Sequence, residues 1–284
     1  MPAKFSRHKH HHPRPKISLL IPFHGRDRWR RRVLRWVIAY WKNALPGSEI
    51  IIGRSWGDPF CKTRALNRAA RKARGKVLVL LDADAYMDAE VVDSCADRIL
   101  DAHELGHRLW FVPYRRLYRL TKQATLKILH SCPEHPYKFP VPPDQCDVEN
   151  ETTAKYGHRY GAMIMMFHRE AFEMLGGFDE RFVGWGGEDV ALLRTLDTLY
   201  AKHKSTPNQI LHMWHPRYGE SYRTMKWRGQ RSPNMNDRLA MQYHRATRLP
   251  SMMRKLAEEA EEHRQHGRKA LTRFARVWVR WMDY

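Results

Sequence analysis

Cysteine is scarce in this chain, whose 284 residues contain four cysteines and no Cys-x-x-Cys pair. Their wide and uneven spacing indicates neither a zinc knuckle nor a disulfide framework, and a reduced, cytoplasmic compartment fits it best. Long apolar runs are also missing, since none approaches the roughly 18 residues that cross a membrane. The basic N-terminus lacks the apolar segment of a signal peptide. We therefore expect a protein that is neither secreted nor membrane-spanning.

Acidic residues are the next shortage. There are 30 Asp and Glu against 51 Lys and Arg, which gives a formal net charge of +21 at pH 7. Such a charge favours phosphorylated or polyanionic ligands, and arginines interleaved with Trp and Tyr would suit a nucleic-acid-binding protein. The basic residues, however, are spread along the whole chain and form no DNA- or RNA-binding motif. Nucleic-acid binding is therefore an alternative function, with no specific nucleic acid expected as a partner.

Core-forming residues are plentiful, since 43% of the chain is hydrophobic and ten residues are Trp. Three regions are predicted: a basic, His-rich tail over residues 1–16, a domain over 17–233, and a helical, basic C-terminal extension over 234–284. The extension includes a basic amphipathic helix with Trp residues. Such a helix can lie on an anionic membrane surface, although packing against its own domain is the simpler interpretation.

Strand and helix patterns alternate through the first third of the domain. Val77–Leu81 is an unbroken apolar run, typical of a strand covered on both faces, and residues 17–23 and Glu49–Gly53 have the same character. Apolar residues recur at helical spacing from Asp27 and again over residues 65–73. This β-α-β-α-β order predicts an α/β fold with a parallel, nucleotide-binding type of sheet.

The remainder of the domain is less regular. We expect a helix over residues 91–100, strands at 109–114 and 160–167, and a short helix at 169–175. Between residues 121 and 157 the pattern breaks up around five prolines. A loop this long inside a compact domain is usually functional or disordered, which makes it a candidate lid on an acceptor side. The basic, aromatic residues 217–233 predict a loop over the active site, with helix from 236 onward.

Two carboxylates, Asp82 and Asp84, follow the central strand at the edge where open α/β sheets place their ligands. Neighbouring carboxylates repel each other and lose hydration unless a cation lies between them. Mg²⁺ or Mn²⁺ carrying a phosphate ester would supply that cation. The alternative is an ordinary strand-to-loop exit, where Asp is common.

A second motif, Gly-Trp-Gly-Gly-Glu-Asp at residues 184–189, precedes an apolar helix. The two acids would cap that helix favourably, but capping does not require three glycines and a tryptophan. An aromatic face beside a carboxylate can hold a sugar and accept a proton from its hydroxyl. This segment therefore predicts a sugar-binding and catalytic site.

A third group is the histidine pair of the segment QILHMWHP, residues 209–216. Two histidines that follow an aspartate pair are credible metal ligands. On an extended backbone, His212 and His215 would point to opposite faces, so we expect only one of them to bind the metal.

Together these motifs resemble the GT-A fold glycosyltransferases, with a family 2-like N-terminal half joined to a C-terminal motif of the galactosyltransferase family 7 type. The segments that carry the resemblance are ISLLIPFHGR, FCKTRALNRAARKARG, VLVLLDADAYMD and YGAMIMMFHREAFEMLGGFDERFVGWGGEDVALLRTL, within residues 17–216. The resemblance implies a Rossmann-like mixed sheet flanked by helices. It also implies a UDP-sugar donor, a Mn²⁺ or Mg²⁺ cofactor, and a hydroxyl acceptor on a glycan, a protein or a cell-wall polymer.

The resemblance also implies roles for individual residues. The donor would be bound by Pro22, Phe23, His24, Arg26, Arg64, Asp82, Ala83, Gly161 and Ala162. The acceptor side would comprise Trp185, Gly186, Gly187 and Glu188. The metal would be held by Asp84, by Asp82 and by His212 or His215, and Asp189 would be the general base of an inverting reaction. A metal-dependent nucleotidyltransferase would also use Asp82 and Asp84, but it gives no role to residues 184–189.

Overall fold

The computed structural model describes residues 14–25, 27–55, 60–135, 146–150, 163–184, 186–216 and 233–282. For 146–150, 233–235 and 267–282 only the backbone is described. Within these ranges, no helix combines the length and the apolarity needed to cross a membrane.

The main sheet has six strands: β1 (Ile17–Pro22), β2 (Glu49–Gly53), β3 (Val77–Leu81), β5 (Trp110–Val112), β8 (Ile164–His168) and β9 (Lys204–Ser205). Their spatial order is β2-β1-β3-β8-β5-β9. The first three strands are parallel, as predicted, whereas β8 runs antiparallel to both β3 and β5. The expected α/β class with a mixed sheet is therefore confirmed.

Helices cover both faces of this sheet: α1 (Arg28–Ala44), α2 (Lys62–Lys72), α3 (Ala89–Glu104), α5 (Arg169–Met174) and α6 (Glu188–Leu199). Alternate residues of β3 belong to different cores. Val77, Val79 and Leu81 pack with α1 and α3, whereas Leu78 and Leu80 pack with α2, α5 and α6. Burial on both faces explains why the strand has no polar alternation.

A second, smaller sheet comprises β4 (Ala85–Tyr86), β10 (Gln209–His212), β6 (Arg116–Leu120) and β7 (Cys146–Asn150), in that order. β10 pairs antiparallel with β4, which sets His212 opposite Ala85. The sequence patterns did not predict this sheet. It positions the site, because it brings the histidine segment to the turn that follows β3.

The expectation that regular structure stops at residue 121 is wrong. Residues Lys122–His130 form helix α4, which begins where the Thr121 side chain accepts a hydrogen bond from the Ala124 N–H. Thr caps a helix well because its oxygen satisfies an otherwise unpaired backbone N–H. The predicted loop thus contains a helix and the strand β7, and its residues 136–145 and 151–157 lie outside the described residues, as do 217–232.

The predicted C-terminal helices are α7 (Pro233–Arg245) and α8 (Pro250–Met282). Their apolar residues form a third core with α6 and the loop before it, built from Phe182, Ala191, Tyr243, Ala246, Met253 and Leu256. The two helices therefore pack against the element that begins with Glu188 and Asp189.

Candidate active site

The turn after β3 places the two predicted carboxylates in different surroundings. The Asp82 N–H donates to the Met163 carbonyl at 2.9 Å, and the Asp84 carbonyl accepts from the Met213 N–H at 2.7 Å. The second bond joins the histidine segment directly to Asp84. As a result, Asp84 faces the histidines and Asp82 faces α2.

Asp84 lies between the two imidazole rings. His212 Nε2 is 3.3 Å from one carboxylate oxygen and His215 Nε2 is 3.4 Å from the other. The potential ligand atoms of the three residues all lie within 4.8 Å of one another. A carboxylate and two imidazoles form a donor set that suits a divalent transition ion, so the residues present fit the metal site that the resemblance implies.

The expectation that His212 and His215 point to opposite faces is wrong, because both rings lie beside Asp84. β10 ends at His212, so His215 lies three residues beyond the strand. Alternation of side chains applies only along a continuous strand. Both rings can therefore reach Asp84.

The electrostatics of Asp84 favour its charged form. Burial opposes ionisation, but His212, His215 and Arg30 outweigh it and hold the pKa of Asp84 well below its usual range. The nearest Arg30 nitrogen lies 3.4 Å from the carboxylate. Burial also lowers the pKa of His215, and an imidazole binds a metal in its neutral form.

Lys62 connects the donor-side aspartate with the acid pair of α6. Its Nζ is 2.8 Å from Asp82, 2.8 Å from Asp189 and 3.8 Å from Glu188. Burial alone would lower the pKa of Lys62, but the carboxylates raise it well above its usual range, with Asp189 contributing most. The lysine is therefore a permanent cation among three buried or partly buried carboxylates.

Lys62 and Arg30 were missed by the sequence reasoning. Lys62 is the first residue of α2, whose first turn contains no acid. A cation at a helix N-terminus is unfavourable with respect to the helix dipole, and this feature could have drawn attention to it. Arg30 lies in the first turn of α1, where the same argument applies.

The pKa of Asp189 is shifted upward. Burial raises its pKa, Lys62 opposes that effect, and the nearby Glu188 and Asp82 reinforce it, so the pKa of Asp189 rises to about 8. Burial is the largest cause of this upward shift, and the neighbouring carboxylates add to it because three of them share one lysine. A carboxylate with a pKa near neutrality is well matched to accept a proton.

The glycine motif fixes the start of α6. Gly187, with φ of +88°, precedes the first helical residue, and Glu188 is buried and accepts the Gly186 N–H at 3.0 Å. Only glycine adopts such a φ without strain. Trp185, between Gly184 and Gly186, lies outside the described residues.

The other predicted donor residues lie near the end of β1. Pro22 closes the strand opposite Gly53, the Phe23 N–H donates to the Gly53 carbonyl at 2.9 Å, and the His24 ring lies 5.2 Å from that of Phe60. Phe60 was not predicted. Ala83 packs at the edge of the core. Arg26, Gly161 and Ala162 lie outside the described residues.

Arg64 has a partner within the protein. Its Nε lies 3.0 Å from Glu180, in the loop that leads to the acid pair. The structure thus brings together Asp82, Asp84, Glu188, Asp189 and both histidines. Arg64 forms an ion pair with Glu180, which is not one of the predicted site residues.

Comparison with known proteins assigns the family. Residues 54–266 match the family model described as "Glycosyltransferase like family 2". The chain belongs to this family. The expected glycosyltransferase class is thereby confirmed, and the nucleic-acid-binding and nucleotidyltransferase alternatives gain no support.

A similar curated protein is human chondroitin sulfate N-acetylgalactosaminyltransferase 2, which is 30% identical over 165 residues. The match covers 57% of this chain but only 28% of that protein. The chain thus matches little more than a quarter of its glycosyltransferase relative.

Two solved structures also resemble the chain. The catalytic domain of Drosophila β1,4-galactosyltransferase 7 with xylobiose is 18% identical, with a TM-score of 0.41 over 72% of this chain and 73% of that one. The Pyrobaculum calidifontis mannosyltransferase with GDP-Man and Mn²⁺ is 14% identical, with a TM-score of 0.41 over 94% of this chain and 81% of that one. The family assignment rests on the match of residues 54–266 to the family model.

Proposed function

We propose that this glycosyltransferase is metal-dependent and inverting, and that it moves a sugar from a UDP-sugar to an acceptor hydroxyl. One observation carries the proposal. Asp189, a partly buried carboxylate with a raised pKa, is joined through Lys62 to the Asp82–Asp84 turn, and Asp84 of this turn belongs to a group of three potential metal ligands. A base and a metal site at adjoining positions are what glycosyl transfer from a diphosphate requires.

Asp84, His212 and His215 would hold the metal. Mn²⁺ is favoured over Mg²⁺, because imidazole nitrogen suits transition ions whereas Mg²⁺ prefers oxygen and water. When bound, the ion would offset the negative charge that develops on the departing diphosphate. Asp82, held by Lys62, is the weaker candidate as a direct ligand.

Asp189 would act on the acceptor. Its carboxylate takes the proton of the acceptor hydroxyl as that oxygen forms a bond to the anomeric carbon. The bond between this carbon and the diphosphate oxygen breaks on the opposite side, and its electron pair leaves with the diphosphate. Attack from the side opposite the leaving group inverts the configuration.

The donor and acceptor classes are also part of the proposal. The aromatic rings of His24 and Phe60, at the carboxyl end of β1, offer a face for a nucleobase, and uracil is proposed from the resemblance. A glycan is the preferred acceptor because of the relative's name, and the charge of +21 would suit an anionic one. Protein and cell-wall acceptors are the alternatives.

A cytoplasmic location is likewise proposed. Three of the four cysteines, Cys61, Cys95 and Cys132, are free, consistent with a reducing compartment. Contact of the basic C-terminal helix with an anionic membrane stays a prediction, since its side chains from residue 267 lie outside the described residues.

Donor hydrolysis tests the proposal without knowledge of the acceptor. The protein is incubated with Mn²⁺ and a panel of UDP- and GDP-sugars, nucleoside diphosphate release is followed, and ¹H NMR records the first anomer formed. We expect UDP release from one donor, with an inverted sugar, and no release from the Asp84→Ala variant. Release of pyrophosphate, or a sugar with retained configuration, would contradict the mechanism.

A further inference from the structure

The loop that leads to the acid pair is held by the C-terminal helices at several points. Arg264 of α8 donates to the Phe178 carbonyl at 2.6 Å. Tyr243 of α7 donates its hydroxyl hydrogen to Asp179 at 3.0 Å, and Arg181 lies 2.9 Å from Glu259 of α8. These contacts lie at the start of the loop, well before Asp189.

Asn236 of α7 holds the loop closer to the acid pair. Its side-chain oxygen accepts the Val183 N–H at 3.3 Å, and its side-chain nitrogen donates to the Val183 carbonyl at 3.1 Å. The side-chain amide thereby pairs with both backbone groups of one residue, as a neighbouring strand would. Asn236 is 4% exposed, so without it the two backbone groups would lose partners in a buried place.

Gly187 is the second point of contact with α7. A Cβ at this position would lie 3.0 Å from the Cβ of Ala240 and 3.0 Å from the Phe182 ring. The space beside the glycine is therefore closed by α7. Because Gly187 caps α6, its position sets where the first turn of α6, with Glu188 and Asp189, begins.

We propose that Asn236 and Ala240 are positioning residues of the catalytic site. They fix Val183 and Gly187 on either side of the glycine turn, and so hold Asp189 at its 2.8 Å contact with Lys62. The inference rests on the proposed function of Asp189 as a base. It makes α7 a part of the catalytic unit, since a misplacement of about 1 Å can cost roughly 100-fold in rate.

The test compares variants of the full chain that loosen the loop at different places. Asn236→Ala removes the contact at Val183, and Ala240→Val displaces Gly187 while keeping Asn236. Arg264→Gln is the matched control, because it removes another buried hydrogen bond to the same loop, at Phe178. Met241 of α7 is 48% exposed, so Met241→Ala controls for changes to the helix itself.

Three measurements are made well below the unfolding temperature: kcat for donor hydrolysis per folded enzyme, the Kd of UDP with Mn²⁺, and amide hydrogen exchange of residues 183–189. In Asn236→Ala and Ala240→Val we expect kcat to fall about 10- to 100-fold, with the UDP Kd within about two-fold and faster exchange in the segment. Arg264→Gln is expected to lower the unfolding temperature while leaving kcat and this exchange unchanged.

Two results would overturn the inference. One is an unchanged exchange rate of residues 183–189 in both α7 variants. The other is an equal loss of kcat in Asn236→Ala and Arg264→Gln, which would mark general destabilisation. If the unaltered protein hydrolyses no donor, the proposed function fails, and hydrogen exchange alone still decides whether α7 fixes this segment.

Discussion

Lys62 Nζ lies 2.8 Å from the carboxylate of Asp189. Lys62 is the first residue of α2, where the helix dipole is unfavourable for a cation. The same ammonium contacts Asp82 at 2.8 Å. One lysine thus links the aspartate that follows β3 with the proposed base at the start of α6, although the two are 107 positions apart in sequence.

Replacement of Lys62 by Met is expected to be severe. It leaves Asp82, Glu188 and Asp189 together without their cation, and removing one partner of a buried ion pair costs about 3–5 kcal/mol of unfolding free energy. Donor hydrolysis should fall steeply as well. Urea unfolding and nucleoside diphosphate release are the measurements, with Lys62→Arg expected to recover part of both.

The control for this prediction is Lys72→Met, at the exposed end of the same helix. It should cost less than about 1 kcal/mol, the usual effect of a charge at a helix terminus. If Lys62→Met were no more destabilising than Lys72→Met, the linking role of Lys62 would be refuted.

Mn²⁺ is expected to raise the unfolding temperature of the unaltered protein. Binding to the folded state alone adds about 2.7 kcal/mol at a metal concentration of 100 times Kd. The rise should disappear in Asp84→Ala and shrink in His212→Ala and His215→Ala. Each variant is measured with and without Mn²⁺, because each changes stability in the absence of metal too.

The chain provides a matched control for the metal prediction. His103, His168 and Glu170 form another three-residue group of potential ligands. His168 pairs with Val77, the first residue of β3, whereas Asp84 follows the last residue of that strand. The two groups therefore lie at opposite ends of β3. His103→Ala should keep the full rise in unfolding temperature that Mn²⁺ causes. If His103→Ala abolished this rise as Asp84→Ala is expected to, the assignment of the metal to Asp84, His212 and His215 would be contradicted.

A third prediction concerns Glu49 and pH. Burial opposes its ionisation, but hydrogen bonds from Ser18 at 2.5 Å, from the Arg74 N–H and from the Gly75 N–H at 2.9 Å outweigh it and lower the pKa of Glu49. A folded-state pKa below the unfolded one stabilises the fold above the unfolded pKa, and this contribution is lost as pH falls through the folded pKa.

Glu49→Gln should therefore cost about 1.5–3 kcal/mol at neutral pH, the usual value for hydrogen bonds to a charged group. The difference from the unaltered protein should shrink as the pH falls below the usual range of a glutamate. Urea unfolding at several pH values measures it, with the exposed Glu104→Gln as control. A difference that does not change with pH would show that the carboxylate charge is not the cause.

Much of the main sheet, and the positions of the acids after β3 and at the start of α6, could be predicted from the sequence. The apolar runs of β1 and β3 are long enough to show burial on both faces, and Asp82 and Asp84 lie within three residues of the end of β3. Trp41 lies at the predicted core spacing and is fully buried. Such features depend on short stretches of chain, where periodicity is a reliable indicator.

The remainder depends on contacts between distant segments. β4 has two residues and β10 has four, too few to show a period, and their pairing alone brings His212 to Asp84. The partners of charged side chains are equally non-local. The donor role of Arg64 stays a prediction from the family resemblance, and its contact with Glu180, 116 positions away, leaves no local pattern in the sequence.

The most direct test of the central claim is Asp189→Asn, which keeps the shape of the side chain but removes its ability to accept a proton. We expect UDP release from the hydrolysed donor to fall by about 10²- to 10⁴-fold, while the Kd of UDP with Mn²⁺ stays within about two-fold of the unaltered protein. Hydrolysis at the unaltered rate in Asp189→Asn would contradict the assignment of Asp189 as the base.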